Sequence, residues 1–302
     1  MSIQVNGVEI EDTFAEAFPM FAGRILITAQ NEKWAKIAAR TATGFASSII
    51  MSPAEAAMEG PVIPPDKTPD GRIGVMVQMY HNAKPLLKGQ MISRMGQCIL
   101  TCPTTRAFDG LPSLKNKMKI GDAVRMFGDG FEKKDVIGGR KVWRLPVMEG
   151  EFVIEGRFGI KKAIAGGNLL IMADNQPSAL EAAEKCVDSI QELQAVVLTF
   201  PGGICRSGSK LGSKKYKLPA STNHPICPQI RSEVPDTQIP EGVKSVYEVV
   251  FNALDADLLM KGTAKGIKAA ASVPGVKKIS AANFGGTLGP VQIKLKDAVD
   301  LI

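Results

Sequence analysis

Metal-binding residues are scarce in this sequence. It has two histidines, His81 and His224, and its five cysteines are an odd number without a C-x-x-C pair. Zinc sites in proteins are built from closely spaced Cys and His ligands. Cys98 and Cys102 lie one helical turn apart, but this spacing is more typical of small core residues than of a redox pair. The sequence therefore predicts no metal site.

Long apolar runs are also missing. A membrane-spanning helix needs about 20 predominantly apolar residues in a row, and no stretch of the chain approaches that length. The first residues, Met-Ser-Ile-Gln-Val-Asn-Gly, lack the charged head and the apolar run of a secretory signal. Together with the odd number of cysteines, these absences predict a protein of the reducing cytoplasm with no membrane partner.

Aromatic residues make up only 6% of the chain, although its net charge is +7 and its pI is about 9.1. A basic protein attracts nucleic acid, anionic lipid, or small molecules with carboxylates or phosphates, and composition does not choose among them. RNA-binding sheets present clustered aromatic side chains on which bases stack, and no predicted strand shows such a cluster. A basic RNA-binding protein is therefore only a distant alternative, and we predict no nucleic-acid partner.

What the sequence does contain is typical of a globular protein with an internal repeat. Its 302 residues, 45% of them apolar and 22% charged, suffice for about two compact domains. With an offset of 144, 11 of the 30 positions from 10 to 39 carry the same residue in the second half, which indicates a duplication. The matched residues of the first half are Ile10, Glu11, Phe14, Gly23, Leu26, Ile27, Ala29, Asn31, Ala35, Ala38 and Ala39.

Each half is predicted to run strand, helix, strand, strand, helix, strand. In the first half we predict strands at 24–29, 46–51, 73–80 and 123–127, helices at 32–43 and 85–101, an extra strand at 141–147, and a loop at 52–70. In the second half we predict strands at 168–173, 195–200, 244–252 and 276–281, and helices at 177–192 and 255–272. This order is the split βαβ plan, so we predict an α+β fold of two lobes, residues 1–148 and 149–302.

One predicted strand of the second half carries a carboxylate on an otherwise apolar face. Side chains alternate between the faces of a strand, so Glu248 shares its face with Val246 and Val250. An ionised carboxylate buried without a partner costs several kcal/mol, and burial raises its pKa so that it stays protonated near neutrality. Such an acid can stabilise an oxyanion or pass on a proton. An edge strand, or a Glu paired with one of the 37 Lys and Arg residues, would explain the pattern without catalysis.

The repeat offers a comparison for this carboxylate. With an offset of 171, which the later part of the repeat follows, Glu248 falls on Val77. The fold therefore tolerates an apolar residue at this position and does not itself require the acid. This asymmetry favours a functional role for Glu248.

A long connection, residues 201–242, separates two predicted strands of the second half. Connections of this length inside a compact domain are usually functional or disordered. Gly, Ser and Lys can surround an acidic group with backbone N–H groups, hydroxyls and ammonium charge, whereas a solvated, mobile basic loop is the alternative. A P-loop is excluded, because Ser209-Lys210 inverts the required Lys-Ser order. The predicted substrate-binding residues are Gly202, Gly203, Arg206, Ser207, Ser209, Lys210, Lys214, Lys215, Ser221, Thr222 and Asn223.

Over essentially its whole length, the chain resembles the formylmethanofuran:tetrahydromethanopterin formyltransferase family. No single motif is specific, but the combination is. The segments that carry the resemblance are Asn6–Phe18, Thr68-Pro-Asp-Gly-Arg72, Glu149-Gly-Glu-Phe152, Ala165-Gly-Gly-Asn168, Pro201-Gly-Gly203, Pro219-Ala-Ser-Thr-Asn223, Val246-Tyr-Glu-Val249 and Ile279–Gly286.

The resemblance implies two ferredoxin-like lobes, a homo-oligomer (a tetramer) with active sites at subunit interfaces, and a catalytic glutamate that falls on Glu248. It also implies that methanofuran and tetrahydromethanopterin are carrier substrates and that no prosthetic group is bound. N5 of the pterin would attack the formyl carbon of N-formylmethanofuran, and protonated Glu248 would stabilise the tetrahedral oxyanion or move a proton between the nitrogens. Cys205, near the glycine turn, leaves a covalent formyl-enzyme open as a remote option.

The basic pI departs from the acidic members of this family in methane-forming archaea. It leaves open a formyltransferase subunit that works with hydrolase subunits in a formyltransferase/hydrolase complex of methylotrophic bacteria. A non-catalytic structural subunit is a third possibility, against which the presence of Glu248 argues.

Overall fold

The structure is a computed structural model, and it describes residues 3–302. The chain forms two compact units, each with its own core. Met20–Lys162 form one unit, the N-lobe, and the segment ending at Pro19 forms the other, the C-lobe, with Ala163–Ile302. Within the described range no helix has the length and apolar character needed to cross a membrane. The division of the chain into lobes 1–148 and 149–302 stays a prediction.

The N-lobe contains three α-helices and a seven-stranded sheet with an additional short strand pair. Its helices are α1 (Glu32–Ala42), α2 (Lys84–Arg94) and α3 (Gly121–Val124), and its strands are β3 (Phe14–Thr28, from Met20 onward), β4 (Glu55–Ile63), β5 (Gly74–His81), β6 (Arg106–Asp109), β7 (Lys117–Met118), β8 (Lys133–Ile137), β9 (Arg140–Val147) and β10 (Gly150–Glu155). The sheet order is β4-β5-β3-β6-β10-β9-β8, with only β6 and β10 parallel. β7 pairs with the start of β11, a strand that spans Phe158–Ala173.

The C-lobe repeats the central part of this arrangement. Its remaining elements are β1 (Ile3–Val5), β2 (Val8–Ile10), α4 (Gln176–Gln191), β12 (Val196–Val197), β13 (Ile204–Cys205), β14 (Ser245–Ala253), α5 (Ala256–Ala270), β15 (Val276–Ser280), β16 (Val291–Lys294) and α6 (Leu295–Val299). β14 lies between β11 and the short strands β12 and β13, and β15 pairs with the other edge of β11, all antiparallel. The split βαβ core β15-β11-β14-β12/β13 therefore matches β6-β3-β5-β4 of the N-lobe, which confirms the predicted α+β duplication.

Two asparagines show why the repeated helices begin where they do. Asn31 caps α1 by accepting a hydrogen bond from the backbone N–H of Trp34, at 3.2 Å. Asn175 caps α4 by accepting one from the N–H of Ser178, at 2.8 Å. Each cap satisfies a backbone donor that the first helical turn leaves free. The two caps are related by the offset of 144 read from the sequence.

In each lobe the helices cover one face of the sheet and form the main core. In the C-lobe, α4 and α5 pack on every second residue of the central strands, including Leu169 and Ile171 of β11 and Val249 and Phe251 of β14. The opposite face packs against the long connection instead. There Leu170 and Met172 pack against Ile226, Ile239 and Val243 of the long connection. The connection thus covers the face to which Glu248 belongs.

Three predicted segments of the first half differ from the structure. The strand predicted at 46–51 does not form. Instead β4 (Glu55–Ile63) lies inside the segment predicted as a loop. The sequence does not indicate this strand because Gly60 and Pro61 interrupt its pattern. The pairing register of β4 with β5 shifts between Met58 and Val62, and this irregularity accommodates Gly60 and Pro61. The closing strand is β6, whereas the strand predicted at 123–127 is α3 and a 3₁₀ turn.

The strand register also corrects the residue equivalent to Glu248. Leu170 pairs with Glu248, and its repeat partner Leu26 pairs with Met76. The offset between the third strands is therefore 172 rather than 171, and Met76, not Val77, is the equivalent residue. A shift of one residue exchanges the faces of a strand, and Val77 indeed lies in the helix-facing core. The equivalent position is still apolar, so the asymmetry between the lobes remains.

Candidate functional site

The centre of the candidate site is Glu248, which is buried in the middle of β14. It is only 1% exposed. Its neighbours across the sheet are Leu170 on β11 and Cys205 on β13. Directly paired residues of antiparallel strands share a face, so these three side chains lie together on the face covered by the long connection.

Ser209 supplies the hydrogen bonds that the Glu248 carboxylate receives in this site. The Ser209 hydroxyl donates to Oε1 of Glu248, at 2.5 Å, and the Ser209 backbone N–H donates to Oε2. Both donors are uncharged. No ion pair to Glu248 is found among residues 3–302, so the alternative of a Glu paired with Lys or Arg receives no support.

This environment changes the acidity of Glu248. Burial raises the pKa of the Glu248 carboxyl to about 7, and the two hydrogen bonds from Ser209 oppose that rise. An acid with this pKa is present in both protonation states at neutral pH. Glu248 can therefore donate a proton and accept one under the same conditions, which is what general acid–base catalysis requires.

Cys205 lies opposite Glu248 but is poorly suited to be a nucleophile. Burial, with a smaller contribution from the nearby Glu248 carboxylate, raises the pKa of the Cys205 thiol to about 11. Hydrogen bonds from Ser207 and Gly208 act in the opposite direction without reversing the shift. Because the thiolate is the reactive form, a thiol with this pKa disfavours a covalent formyl-enzyme at Cys205.

A small cavity opens beside Glu248, and a larger groove adjoins it. The cavity measures about 80 Å³ and the groove about 670 Å³. Cys205, Arg206, Ser207 and Thr222 line both of them. The cavity further contacts Leu170, Gly208, Asn223, Ile226, Cys227, Pro228, Val246 and Glu248, and the groove further contacts Leu180, Phe200, Pro201 and Ile204. The groove has room for a ligand of which only a small part reaches Glu248.

The connection folds back on itself to build this wall. The Asn223 N–H donates to the Ser207 carbonyl at 3.1 Å, and the Ser221 N–H donates to the Lys210 carbonyl at 3.2 Å. Gly208 has a φ of +69°, and a Cβ at this position would lie 2.6 Å from the Cβ of Asn223. Glycine is therefore required where the chain turns towards Glu248.

The structure separates the predicted substrate-binding residues into three groups. Arg206, Ser207, Thr222 and Asn223 line the cavity or the groove, and Ser209 contacts Glu248 itself. Lys210 and Ser221 stand beside them, with the Lys210 ammonium donating to the Ser221 hydroxyl at 3.4 Å. The remaining residues, Gly202, Gly203, Lys214 and Lys215, line neither space.

This last group has other surroundings. Gly202 is exposed with a φ of +61°, whereas Gly203 is buried, and a Cβ there would lie 2.7 Å from Val187. Lys214 and Lys215 are exposed, and the Lys215 ammonium lies 5.4 Å from the centre of the Tyr216 ring. Their role in substrate binding stays a prediction.

Several residues of the site carry no signal in the sequence. Leu180, Phe200 and Ile204 line the groove, and Cys227 and Pro228 line the cavity. They are apolar or weakly polar residues that resemble ordinary core or loop residues. Within residues 3–302, no group of three or more His, Cys, Asp or Glu residues is placed to hold a metal ion.

A second buried carboxylate of the C-lobe explains one of the family motifs. Glu16 is 4% exposed and accepts hydrogen bonds from the backbone N–H groups of Phe284, Gly286, Leu288 and Gly289. Burial acts to raise the pKa of Glu16, but the four backbone donors outweigh it and lower the pKa. Glu16 therefore fixes the loop after β15, and its role is structural.

Two family models match this chain. The family model described as formylmethanofuran-tetrahydromethanopterin formyltransferase matches residues 3–147, and the model described as FTR, proximal lobe, matches residues 150–298. Together the two models cover nearly the whole chain.

Individual relatives are similar over nearly their full length. The formylmethanofuran–tetrahydromethanopterin formyltransferases of Methanocaldococcus jannaschii and Archaeoglobus fulgidus are both 51% identical, with 98% of this chain and 99% of each relative covered. The solved formyltransferase from Methanosarcina barkeri superimposes with a TM-score of 0.95 at 49% identity, covering 98% of this chain and 100% of the other. A chain of the formyltransferase/hydrolase complex from Methylorubrum extorquens, solved with methylofuran, gives 0.94 at 38% identity, with 99% of both chains covered.

Proposed function

The chain belongs to the formylmethanofuran-tetrahydromethanopterin formyltransferase family and is a formyltransferase, and we propose that Glu248 is the acid that serves its formyl transfer. The donor is N-formylmethanofuran and the acceptor is N5 of tetrahydromethanopterin. Glu248 is the best candidate for this role, because it is a buried carboxyl that lines a cavity and has no cationic partner within residues 3–302. Membership of this enzyme family supports formyl transfer over the RNA-binding alternative.

The transfer requires a proton to move between two nitrogens. N5 of the pterin attacks the formyl carbon, the carbonyl oxygen gains negative charge in a tetrahedral intermediate, and the nitrogen of methanofuran leaves as the amine. Protonated Glu248 donates to the oxyanion or to the leaving nitrogen, and ionised Glu248 accepts the proton that N5 loses. A pKa of about 7 makes both forms available at neutral pH.

Placement of the two carriers supplies the remaining catalysis. We assign their reacting ends to the cavity beside Glu248 and a longer portion to the groove lined by Arg206, Ser207 and Thr222. Arg206 is exposed at the junction of the two spaces, where a guanidinium can bind a carboxylate or phosphate with two hydrogen bonds. Lys210, Ser221 and Asn223 extend this polar wall. Holding both reactants in line contributes a large part of the rate enhancement.

A second candidate setting is a formyltransferase/hydrolase complex. The similarity to a chain of the Methylorubrum extorquens complex supports it, and the basic pI is consistent with it. In that setting the same active site would act beside hydrolase subunits. The homotetramer, the cytoplasmic location and the absence of a prosthetic group stay predictions.

The test is formyl transfer from formylmethanofuran to tetrahydromethanopterin, followed by ultraviolet absorbance. Glu248→Gln keeps the size of the side chain and removes its acid, and we expect kcat to fall about 10²- to 10³-fold. Glu241→Gln, an exposed glutamate of the same connection, is the matched control and should keep full activity. An active chain whose Glu248→Gln variant matches it would leave the family intact and refute the mechanism.

A further inference from the structure

Ser209 contacts the proposed acid rather than the space in which a ligand would bind. The sequence predicts that Ser209 binds substrate. In the structure its hydroxyl and its backbone N–H both donate to Glu248, one to each carboxyl oxygen. Ser209 does not line the cavity or the adjoining groove, whereas Glu248 lines the cavity. Both donors of Ser209 are thus engaged by Glu248, and Ser209 itself is not part of the lining of the ligand space.

Two donors from one residue restrict a carboxyl group strongly. A single hydrogen bond leaves the carboxyl plane free to turn, whereas donors to both oxygens fix its position and its orientation. The remaining lone pairs of the two oxygens are then available to a group in the cavity. The Ser209 donors stabilise the ionised carboxylate, because it accepts both bonds at once, and so act against the effect of burial.

The chain around Ser209 is shaped to hold this contact. Gly208 makes the left-handed turn immediately before it, close against Asn223. Lys210, immediately after it, bonds to Ser221 through both its backbone carbonyl and its ammonium group. Ser209 is therefore fixed from both sides by the returning segment of the connection.

We propose that Ser209 is a positioning residue, which acts through Glu248 by holding its carboxyl towards the cavity rather than by binding substrate. The inference rests on the proposed role of Glu248 and deepens it. In this view a residue of the connection orients the acid. The substrate contacts then fall to the residues that line the cavity and the groove.

The experiment compares Ser209→Ala, Ser209→Thr and Glu248→Gln in the full chain with both carriers. Ser209→Ala should lower kcat about 10- to 100-fold and leave both KM values within about twofold, because misorientation of a reacting group affects the chemical step. Ser209→Thr keeps a hydroxyl and should restore most of kcat. Ser272→Ala removes a serine hydroxyl at the end of α5 and is the matched control.

The pH dependence provides a readout that a purely structural role would not change. The limb of the kcat/KM profile that disappears in Glu248→Gln belongs to Glu248. In Ser209→Ala this limb should move to higher pH by about one unit, because the carboxylate loses one of its donors. The double variant Ser209→Ala/Glu248→Gln should be no slower than Glu248→Gln alone, since Ser209 acts only through the acid.

Each failure has a distinct signature. If Glu248→Gln keeps full activity, the proposed function of Glu248 is wrong whatever Ser209 does. If Glu248→Gln is inactive but Ser209→Ala raises KM with an unchanged kcat, Ser209 binds substrate and the positioning role is overturned. If Ser209→Ala does not fold, Ser209→Cys, which keeps the volume and weakens the donor, is subject to the same kcat and pH criteria.

Discussion

Each lobe buries a glutamate in its sheet, and the two glutamates differ in their partners. Glu59 of the N-lobe and Glu248 of the C-lobe are both 1% exposed. Arg24 donates to both oxygens of Glu59, at 2.6 and 2.7 Å, and Gln78 donates to Oε1 at 2.7 Å. In the part of the chain that the structure describes, the donors to Glu248 are the two uncharged groups of Ser209. Burial alone therefore does not distinguish the two acids; the presence or absence of a neutralising cation does.

The second strands of the two lobes explain how this difference arises. In the N-lobe, β4 is a continuous strand of nine residues that pairs along β5. In the C-lobe, its counterpart is reduced to β12 and β13, two residues each, on either side of a turn at Pro201–Gly203. The long connection continues directly from β13, and it brings Ser209 to Glu248. The same fold thus gives a structural ion pair in one lobe and a titratable acid in the other.

The largest effect should come from breaking the ion pair of the N-lobe. Glu59→Gln leaves Arg24 as an uncompensated, largely buried charge, so we expect the free energy of unfolding to fall by about 3–5 kcal/mol. The activity per folded molecule should stay unchanged. Urea unfolding followed by circular dichroism measures the first quantity and the formyl-transfer assay the second.

A paired replacement gives the control for Glu59. Arg24→Met combined with Glu59→Gln removes both charges, so it should recover part of the lost stability. If Glu59→Gln instead unfolds at the same urea concentration as the unmodified chain, the two buried glutamates do not differ as the structure indicates.

A somewhat smaller effect, of opposite sign, is expected for the stability of Glu248→Gln at high pH. The folded-state pKa of Glu248 is about 7, above its ordinary value of 4.5. As pH rises from 4.5 to about 7, Glu248 ionises in the unfolded chain but stays protonated in the folded one. The free energy of unfolding of the unmodified chain therefore falls with pH over this range. Glutamine cannot ionise. The stability of Glu248→Gln relative to the unmodified chain should therefore increase by up to about 3 kcal/mol between pH 4.5 and 8.

The same urea titration at several pH values tests this prediction. Glu241→Gln, exposed on the connection, is measured alongside it as the control. A flat difference for Glu248→Gln would mean that the acid does not titrate near neutrality, and the contrast with Glu59 would then lose its basis.

The smallest effects concern the cations of the connection. Arg206→Gln at the junction of cavity and groove should raise the KM of a carrier about 10-fold, and this rise should shrink in high salt. Lys214→Gln and Lys215→Gln, which are exposed and line neither space, should change KM by less than about threefold. Equal effects at Arg206 and at the two lysines would show that general charge attraction, rather than the lined groove, determines carrier binding.

The duplicated fold and the buried acid could be predicted because both leave periodic or paired signals. The offset of 144 follows from identities on β3, α1, β11 and α4, and the structure reproduces it in the helix caps Asn31 and Asn175. Glu248 is visible as an acid on an apolar face of a strand. Such signals depend on local alternation and need no knowledge of distant contacts.

What could not be predicted depends on contacts between distant parts of the chain. The register that makes Met76 rather than Val77 equivalent to Glu248 is fixed by pairing with β3, and a sparse sequence alignment cannot detect a shift of one residue. The contact of Ser209 with Glu248 spans 39 residues and depends on the fold of the whole connection. The sequence does not indicate β4, because Gly60 and Pro61 fit into a strand only where the sheet register is irregular.

The protonated state of Cys205 has a practical consequence for how the protein withstands its surroundings. With a pKa of about 11, only about one Cys205 in ten thousand carries the reactive thiolate at pH 7. Peroxide and alkylating reagents act on that form, so the Cys205 sulfur is protected from chemical damage. Oxidation of Cys205 should therefore not limit the activity of the protein in air, even though this cysteine lies opposite the proposed acid Glu248.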